Sequence, residues 1–305
     1  MREGATPGKL PKSAQFTDLS DYARPIAVWI ARRLKDTSVV APDVTAVWGA
    51  MGLAAAFCYA LSDFRYALLG AGLMQAKNIL DAVDGSLARL QGRPSRVGRF
   101  LDSIGDAAVG AALFAGLAVT IAAVRPAAYA AGLAAAAFVL GLLQGSLFNY
   151  YYVRYRARRG GDTTSRIKEE LTVDDRRHYE DRPRALATLR FLIGAYNWIY
   201  GWQDVLVRRI DAWAVRPLVS RDRETDADAL RDDPRHLTAV SALGPGVQIL
   251  LLDIFTVAGL WNLPLLLEAF VLAVALGGTL YAAVLILRLR RAAARRARGG
   301  VGVTG

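Results

Sequence analysis

Long apolar runs alternate with short charged loops along most of this chain. Six of the runs, 44–61, 66–80, 107–124, 127–147, 237–260 and 264–287, approach or reach the length that carries a helix across a membrane. A hydrocarbon core of about 30 Å needs about 20 apolar residues. The second run is short but continues as a polar helix, and the third begins inside one, so the segment joining them is expected to project into water. Ahead of the first run, DLSDYARPIAVWIARRL places Tyr22, Ile26, Trp29, Ile30 and Leu34 at helical spacing, with Arg32, Arg33 and Lys35 towards the end. That pattern predicts an amphipathic helix, residues 18–36, lying on the membrane surface. The expected fold class is all-α: a polytopic membrane protein with six transmembrane helices, this surface helix and a cytoplasmic insertion.

The insertion, 154–236, separates four spans (37–153) from two more (237–288). From Arg154 to Leu237 it carries 18 basic and 15 acidic residues, so it is nearly balanced in charge and reads as a solvated appendage. Within it, residues 189–215 concentrate Trp, Tyr and Leu but are interrupted by Arg190, Asp204, Arg208, Arg209 and Asp211. This suits an interfacial or partner-binding helix better than a span. Residues 1–17 are polar and contain no signal-peptide core. The basic tail, 289–305, ends in RRARGGVGVTG, a composition that predicts disorder.

Composition sharpens this picture. The chain of 305 residues is 54% hydrophobic and yet 21% charged, which requires apolar and charged residues to be segregated. A net charge of +11 in such a chain points to topology and anionic lipid headgroups rather than to nucleic acid. The loops at 62–66, 122–128 and 260–264 hold one, one and no basic residues, whereas the 91–99 loop holds three arginines and Arg288 to Arg298 holds six. Lys and Arg are retained on the cytoplasmic side, so both termini and the charged loops are expected there, in an inner, cytoplasmic membrane. The one cysteine, Cys58, lies inside an apolar run and excludes an intrachain disulfide or a cysteine metal site.

Candidate chemistry is concentrated in DAVDGSLARLQGRPSRVGRFLDSIGDAAVG, from Asp81 to Gly110, where four carboxylates fall at the ends of two adjacent spans. Ionisable groups at that depth are costly unless used. On a helix, Asp81, Asp84 and Ala88 share one face and Gly98, Asp102 and Asp106 another. A turn around Gly92 and Pro94 lets the faces oppose each other. Clustered carboxylates repel unless cations lie among them, and hard divalent ions prefer oxygen ligands, so Mg²⁺ or Mn²⁺ is the natural guest. Two such ions about 4 Å apart can clamp a diphosphate. Gly85, Ala88 and Gly98 are small enough to let a nucleotide approach the backbone.

The spacing Asp81-x-x-Asp84-Gly85-x-x-Ala88-Arg89, eight residues, then Gly98-x-x-x-Asp102-x-x-x-Asp106 resembles the complete signature of CDP-alcohol phosphatidyltransferases. Pro42-x-x-Thr45 resembles the family's cytidine-side segment. The resemblance implies a six-helix membrane fold, usually dimeric, with a cytoplasmic active site. It further implies that Asp81, Asp84 and Asp102 are metal ligands and that Asp106 is both candidate base and possible ligand. Pro42, Thr45, Gly85, Ala88, Arg89 and Gly98 would line the CDP site, Arg89 contacting phosphate or fixing an aspartate. The expected reaction is attack of an acceptor alcohol on a CDP-alcohol, CDP-diacylglycerol favoured, with release of CMP. A soluble CDP-alcohol donor, and a membrane scaffold that binds a partner through the insertion, are the alternatives.

Outside the motif, Tyr152, Arg154, Arg156, Arg158 and Arg159 read either as anchoring or as a phosphate site. Asp253 and Glu268 fall inside spans and either face the site, pair with another helix or snorkel. His178 and His236 are expected to be solvent-exposed, and Gly244-Pro245-Gly246 to kink the fifth span.

Overall fold

The computed structural model describes residues 10–93, 95–160 and 169–299, apart from the side chains of Lys12 and His178. All regular structure in these residues is helical. A turn at Leu19–Asp21 leads into α1 (Arg24–Leu34), followed by α2 (Ala41–Ala60), α3 (Phe64–Leu90), α4 (Arg96–Ile121) and α5 (Ala127–Arg158). The insertion forms α6 (Val173–His178), α7 (Pro183–Tyr196), α8 (Trp202–Val219) and α9 (Glu224–Arg231). Then come α10 (Pro234–Ser241), α11 (Pro245–Ala258), α12 (Leu263–Leu272) and α13 (Thr279–Gly299).

Among the described residues, Ala41–Ala60, Arg96–Ile121, Ala127–Arg158 and the continuous stretch Leu263–Gly299 are long and apolar enough to cross a membrane. A fifth span results if α10 and α11, bent by 45° at their junction, count as one. The bend falls where Gly244-Pro245-Gly246 was expected to place it: proline cannot donate the hydrogen bond that would continue α10. Helix α3 is 27 residues long, but Arg65, Lys77, Asp81, Asp84 and Arg89 leave it a short apolar stretch.

Helices α2, α3 and α4 form the centre. Trp48, Tyr59, Leu87, Leu117 and Ile121 are all buried there. Gly116 sets the approach of α4 to α2, because any side chain in its place would run into the Ala56 carbonyl. Polar cross-links tie α2 to α11 through Tyr59 and Thr256 (2.8 Å) and α3 to α11 through Gln75 and Asp253. At the other end Glu268 accepts from Arg125 Nε (2.9 Å) and from the Tyr129 hydroxyl (2.9 Å). Asp253 and Glu268 therefore belong to helix pairing, one of the three readings open from sequence.

Helix α1 starts later than the amphipathic pattern suggested, after the Leu19–Asp21 turn. Ala27 and Ala31 are buried, and Ile26 and Trp29 point outward. Arg24 secures the segment: it pairs with Asp21 (2.8 Å) and donates to Ser86 Oγ (3.1 Å) and Ala82 O (3.3 Å) on α3.

Three expectations need correction. The insertion is packed rather than free. Leu189, Leu192, Ile193 and Tyr196 enclose Phe100 of α4, while Val207, Ala214, Val215 and Leu218 join a second core with α5 and α13. Full burial of a side chain such as Phe100 is worth about 2 kcal/mol, enough to hold α7 against α4. The chain end is likewise helical through Gly299, its Ala293 and Ala297 buried in that core; residues 300–305 lie outside the described residues. His236 packs edge-on against Tyr151 at 4.8 Å instead of standing in solvent, and the His178 side chain lies outside the described residues.

Candidate active site

Gly92, with φ of +67°, reverses the chain between α3 and α4, a backbone region that glycine enters without steric cost. Ser95 then starts α4, its Oγ accepting from the Gly98 amide (2.9 Å). This hairpin makes the two acidic faces converge. One carboxylate oxygen each from Asp81, Asp102 and Asp106 lies within 4.8 Å of the others, an arrangement that could hold a metal ion. Asp102 Oδ1 is buried and has no hydrogen-bond partner.

Asp84 stands apart from that trio. It accepts from Thr45 Oγ1 (2.8 Å) and Trp48 Nε1 (2.8 Å), both on α2. Its neighbourhood is tight, since a side chain on Gly105 would meet the Trp48 ring at 2.8 Å. Thr45 thus touches the acidic cluster through Asp84, which gives the Pro42-x-x-Thr45 element a physical role in orienting a carboxylate.

The sequence reading passed over Lys77. Its ammonium is buried, contacts Asp106, lies 3.4 Å from Asp81 and sits 4.5 Å over the Trp48 ring. A lysine one turn before Asp81 reads in sequence as an ordinary interruption of an apolar run; its target, Asp106, is 29 residues away. One ammonium against three carboxylates leaves the group net negative, so the cluster retains affinity for a further cation.

These side chains form one end of a cavity of about 430 Å³. Asp81, Asp84, Gly85, Arg89, Asp102 and Asp106 line the polar end; Leu113, Phe114, Phe138, Leu252 and Phe270 line the apolar one. Pro42, Thr45, Ala88 and Gly98 lie outside the lining, and the Gly98 amide is engaged in the Ser95 cap. Tyr152 lines the cavity, but the arginines around it do not. Arg154 and Arg158 pair with Asp228, and Arg158 also with Asp232 (3.2 Å). Arg156 and Arg159 lie over the rings of Tyr152 and Tyr155. The phosphate-site reading of that basic cluster therefore yields to one in which it anchors the insertion.

The remaining wall comes from segments the sequence did not connect to the site. Asp18, Ser20, Asp21 and Arg24 contribute from the N-terminal side, and Tyr196, Tyr200 and Asp204 from the insertion. A π-type turn at Asn197–Gly201 joins α7 to α8 and turns Tyr200 inward, its hydroxyl donating to Ser103 O (2.9 Å). Such turns recur at functional sites. Below it, Glu169 clamps Arg96 (2.7 Å) and Arg99 (2.6 Å) and accepts from Asn197 Nδ2 (3.1 Å). Burial raises the Tyr200 phenol, and Asp106, Tyr196 and Asp102 add to the shift, so it stays protonated at neutral pH. Burial also pushes Asp204 up to about 6, Arg208 opposing and Glu169 reinforcing the change.

The fold and site define an all-helical membrane protein whose opposed aspartates could hold a metal ion at one end of a half-apolar cavity. The model of the CDP-alcohol phosphatidyltransferase family matches residues 39–216, and the chain belongs to that family. The family's chemistry is transfer of a substituted phosphate group from a CDP-alcohol donor to an alcohol acceptor. A comparison with curated proteins found no match.

Proposed function

We propose that this protein transfers a phosphatidyl group from CDP-diacylglycerol to a polar alcohol, releasing CMP, in phospholipid biosynthesis. The observation that carries this reading is the two-ended cavity, acidic where α3 meets α4 and lined by Leu113, Phe114, Phe138, Leu252 and Phe270 at the other end. A nucleotide diphosphate suits the first end and an apolar chain the second.

Asp81, Asp102 and Asp106, with Asp84 beside them, would hold Mg²⁺ or Mn²⁺, two ions in the fullest form. Their fit rests on a donor set made wholly of hard carboxylate oxygens and on the unpartnered Asp102 Oδ1. A divalent ion bound there supplies neutralisation of diphosphate charge. Asp106 accepts the proton of the acceptor hydroxyl. The acceptor oxygen bonds to the β-phosphorus, the bond from that phosphorus to the CMP oxygen breaks, and CMP leaves. Lys77 holds Asp106 in place through their contact. Thr45 and Trp48 hold Asp84.

In the cell this reading places α3 as a further crossing, giving six in all, with α1 on the membrane surface. The termini and the aspartates face the cytoplasm of an inner membrane, and the unit is a homodimer. The distribution of basic residues supports the orientation.

The test is CMP release by purified protein in nanodiscs, offered CDP-diacylglycerol or a soluble CDP-alcohol, with and without Mg²⁺ or Mn²⁺, against a panel of acceptors. Metal-dependent release from CDP-diacylglycerol is expected. Turnover of the soluble donor alone would reassign the donor, and no turnover under any condition would favour the scaffold.

A further inference from the structure

The cavity carries two kinds of acidic side chain. Those at the α3–α4 turn surround Lys77, but Asp204 lies on the insertion-derived wall with Tyr196 and Tyr200. Among the described residues Asp204 makes no ion pair within 4 Å; Arg208, one turn along α8, acts on it only at longer range. Each cation that lines the cavity has at least one partner. Arg24 pairs with Asp21 (2.8 Å), Lys77 with Asp81 and Asp106, and Arg99 with Glu169 (2.6 Å), while Arg89 donates to Ser86 Oγ (3.4 Å).

A phosphate on an incoming acceptor would find a carboxylate on this wall, while among the described residues the cations lining the cavity already have partners, which is repulsive at short range. A hydroxyl or an ammonium would find an acceptor in Asp204 and aromatic faces in the tyrosines, whose ring centroids are 4.9 Å apart. We propose that Asp204, presented by the insertion beside Tyr196 and Tyr200, is a specificity-determining residue that selects an acceptor alcohol bearing further hydroxyls or an ammonium and rejects one bearing a phosphate. This rests on the transfer reading above and gives the insertion a role in choosing substrate.

The experiment measures CMP release with glycerol and inositol, each beside its phosphorylated counterpart, which keeps a free hydroxyl, and with serine and ethanolamine as ammonium-bearing alcohols, for the wild type and for Asp204→Asn and Asp204→Arg. The wild type is expected to show a lower KM for the unphosphorylated member of the pair it uses best. A hydrogen bond to a charged group is worth roughly tenfold in binding, so Asp204→Asn should raise that KM by about tenfold, with a smaller effect on kcat. Asp204→Arg should shift the ratio towards the phosphorylated member. A wild type that prefers phosphorylated acceptors, or an Asp204→Asn variant with both KM values unchanged, overturns the proposal.

Thermal stabilisation of the purified protein by each acceptor, without donor, gives a readout that does not need turnover. Stabilisation by an unphosphorylated acceptor that is lost in Asp204→Asn supports the proposal even where no CMP is released, a result that would count against the transfer reading alone. Equal stabilisation of wild type and variant by every acceptor counts against Asp204.

Discussion

Two acid-rich networks in this molecule have opposite constructions. Around Arg231, Asp211 accepts from Arg231 Nη2 (2.5 Å) and Nε (3.1 Å) and from the hydroxyls of Tyr150 and Tyr151 (3.0 Å each). Asp228 beside it takes Arg231 (3.0 Å), Arg154 and Arg158. Around Lys77, three carboxylates share one ammonium, and a buried oxygen of Asp102 has no partner. In the first network every carboxylate oxygen of Asp211 and Asp228 meets a donor, and the network fastens the insertion to the end of α5. The second is short of positive charge at the mouth of a cavity, the condition in which a polar cluster recruits a ligand instead of stabilising the fold. Acidic residues in a membrane protein are thus sorted by how fully their charge is answered.

Substitutions can break this contrast. The largest effect is expected from Asp106→Asn, which should lower CMP release by at least about 10²-fold as a proton acceptor is lost. Its thermal unfolding should stay close to wild type. Chelation of divalent ions should abolish turnover, and Mg²⁺ or Mn²⁺ should restore it. Persistence of CMP release in excess chelator would remove the metal from the reading. Asp211→Asn should do the reverse of Asp106→Asn, costing about 3 kcal/mol because it leaves the buried Arg231 without its principal countercharge. That cost would appear as a lower melting temperature in detergent, with residual CMP release per folded molecule preserved.

Smaller effects sharpen the boundary between the networks. Trp48→Phe removes one of the two side-chain donors to Asp84 and should destabilise by about 2 kcal/mol. Asp204→Asn should raise the melting temperature slightly at pH 8. Burial moves the folded-state Asp204 up from 3.8 to about 6, so the unfolded chain ionises first. Wild-type stability therefore falls as pH climbs from about 4 to 6, and the penalty is full above 6. The advantage of the amide should shrink towards pH 5. A constant difference across that range would mean that Asp204 is not held in a charge-disfavouring site.

The legible parts of this molecule were those encoded over one or two helical turns. The i, i+3 and i, i+4 spacings of Asp81, Asp84, Asp102 and Asp106 and the glycine turn at Gly92 needed only helix geometry to be placed face to face. Helix termini at Pro126 and Pro245 were also local. Lys77 and Tyr200 were not legible, because each acts on a partner 29 or more positions away that sequence spacing cannot supply, and Asp204 was not, because only the docking of α8 brings it to the cavity wall. The arginines after Tyr152 misled for the same reason. Their counter-ions, Asp228 and Asp232, lie about 70 residues on and become neighbours only when α9 docks. The resemblance implies Asp84 as a metal ligand with Asp81 and Asp102, but the partners that Trp48 and Thr45 give it from a different helix are not visible in the spacing.

The Leu19 amide donates to Ser241 Oγ (2.9 Å), and Ser20 Oγ accepts from the Gly246 amide (2.9 Å), joining positions more than 220 residues apart. A ribosome releases the first of these residues long before the second exists. The N-terminal wall of the cavity must therefore wait, undocked, while the helices carrying the aspartates enter the bilayer. Competence for substrate arrives late in synthesis, and a chain arrested before α11 would hold every motif aspartate and still lack an enclosed chamber.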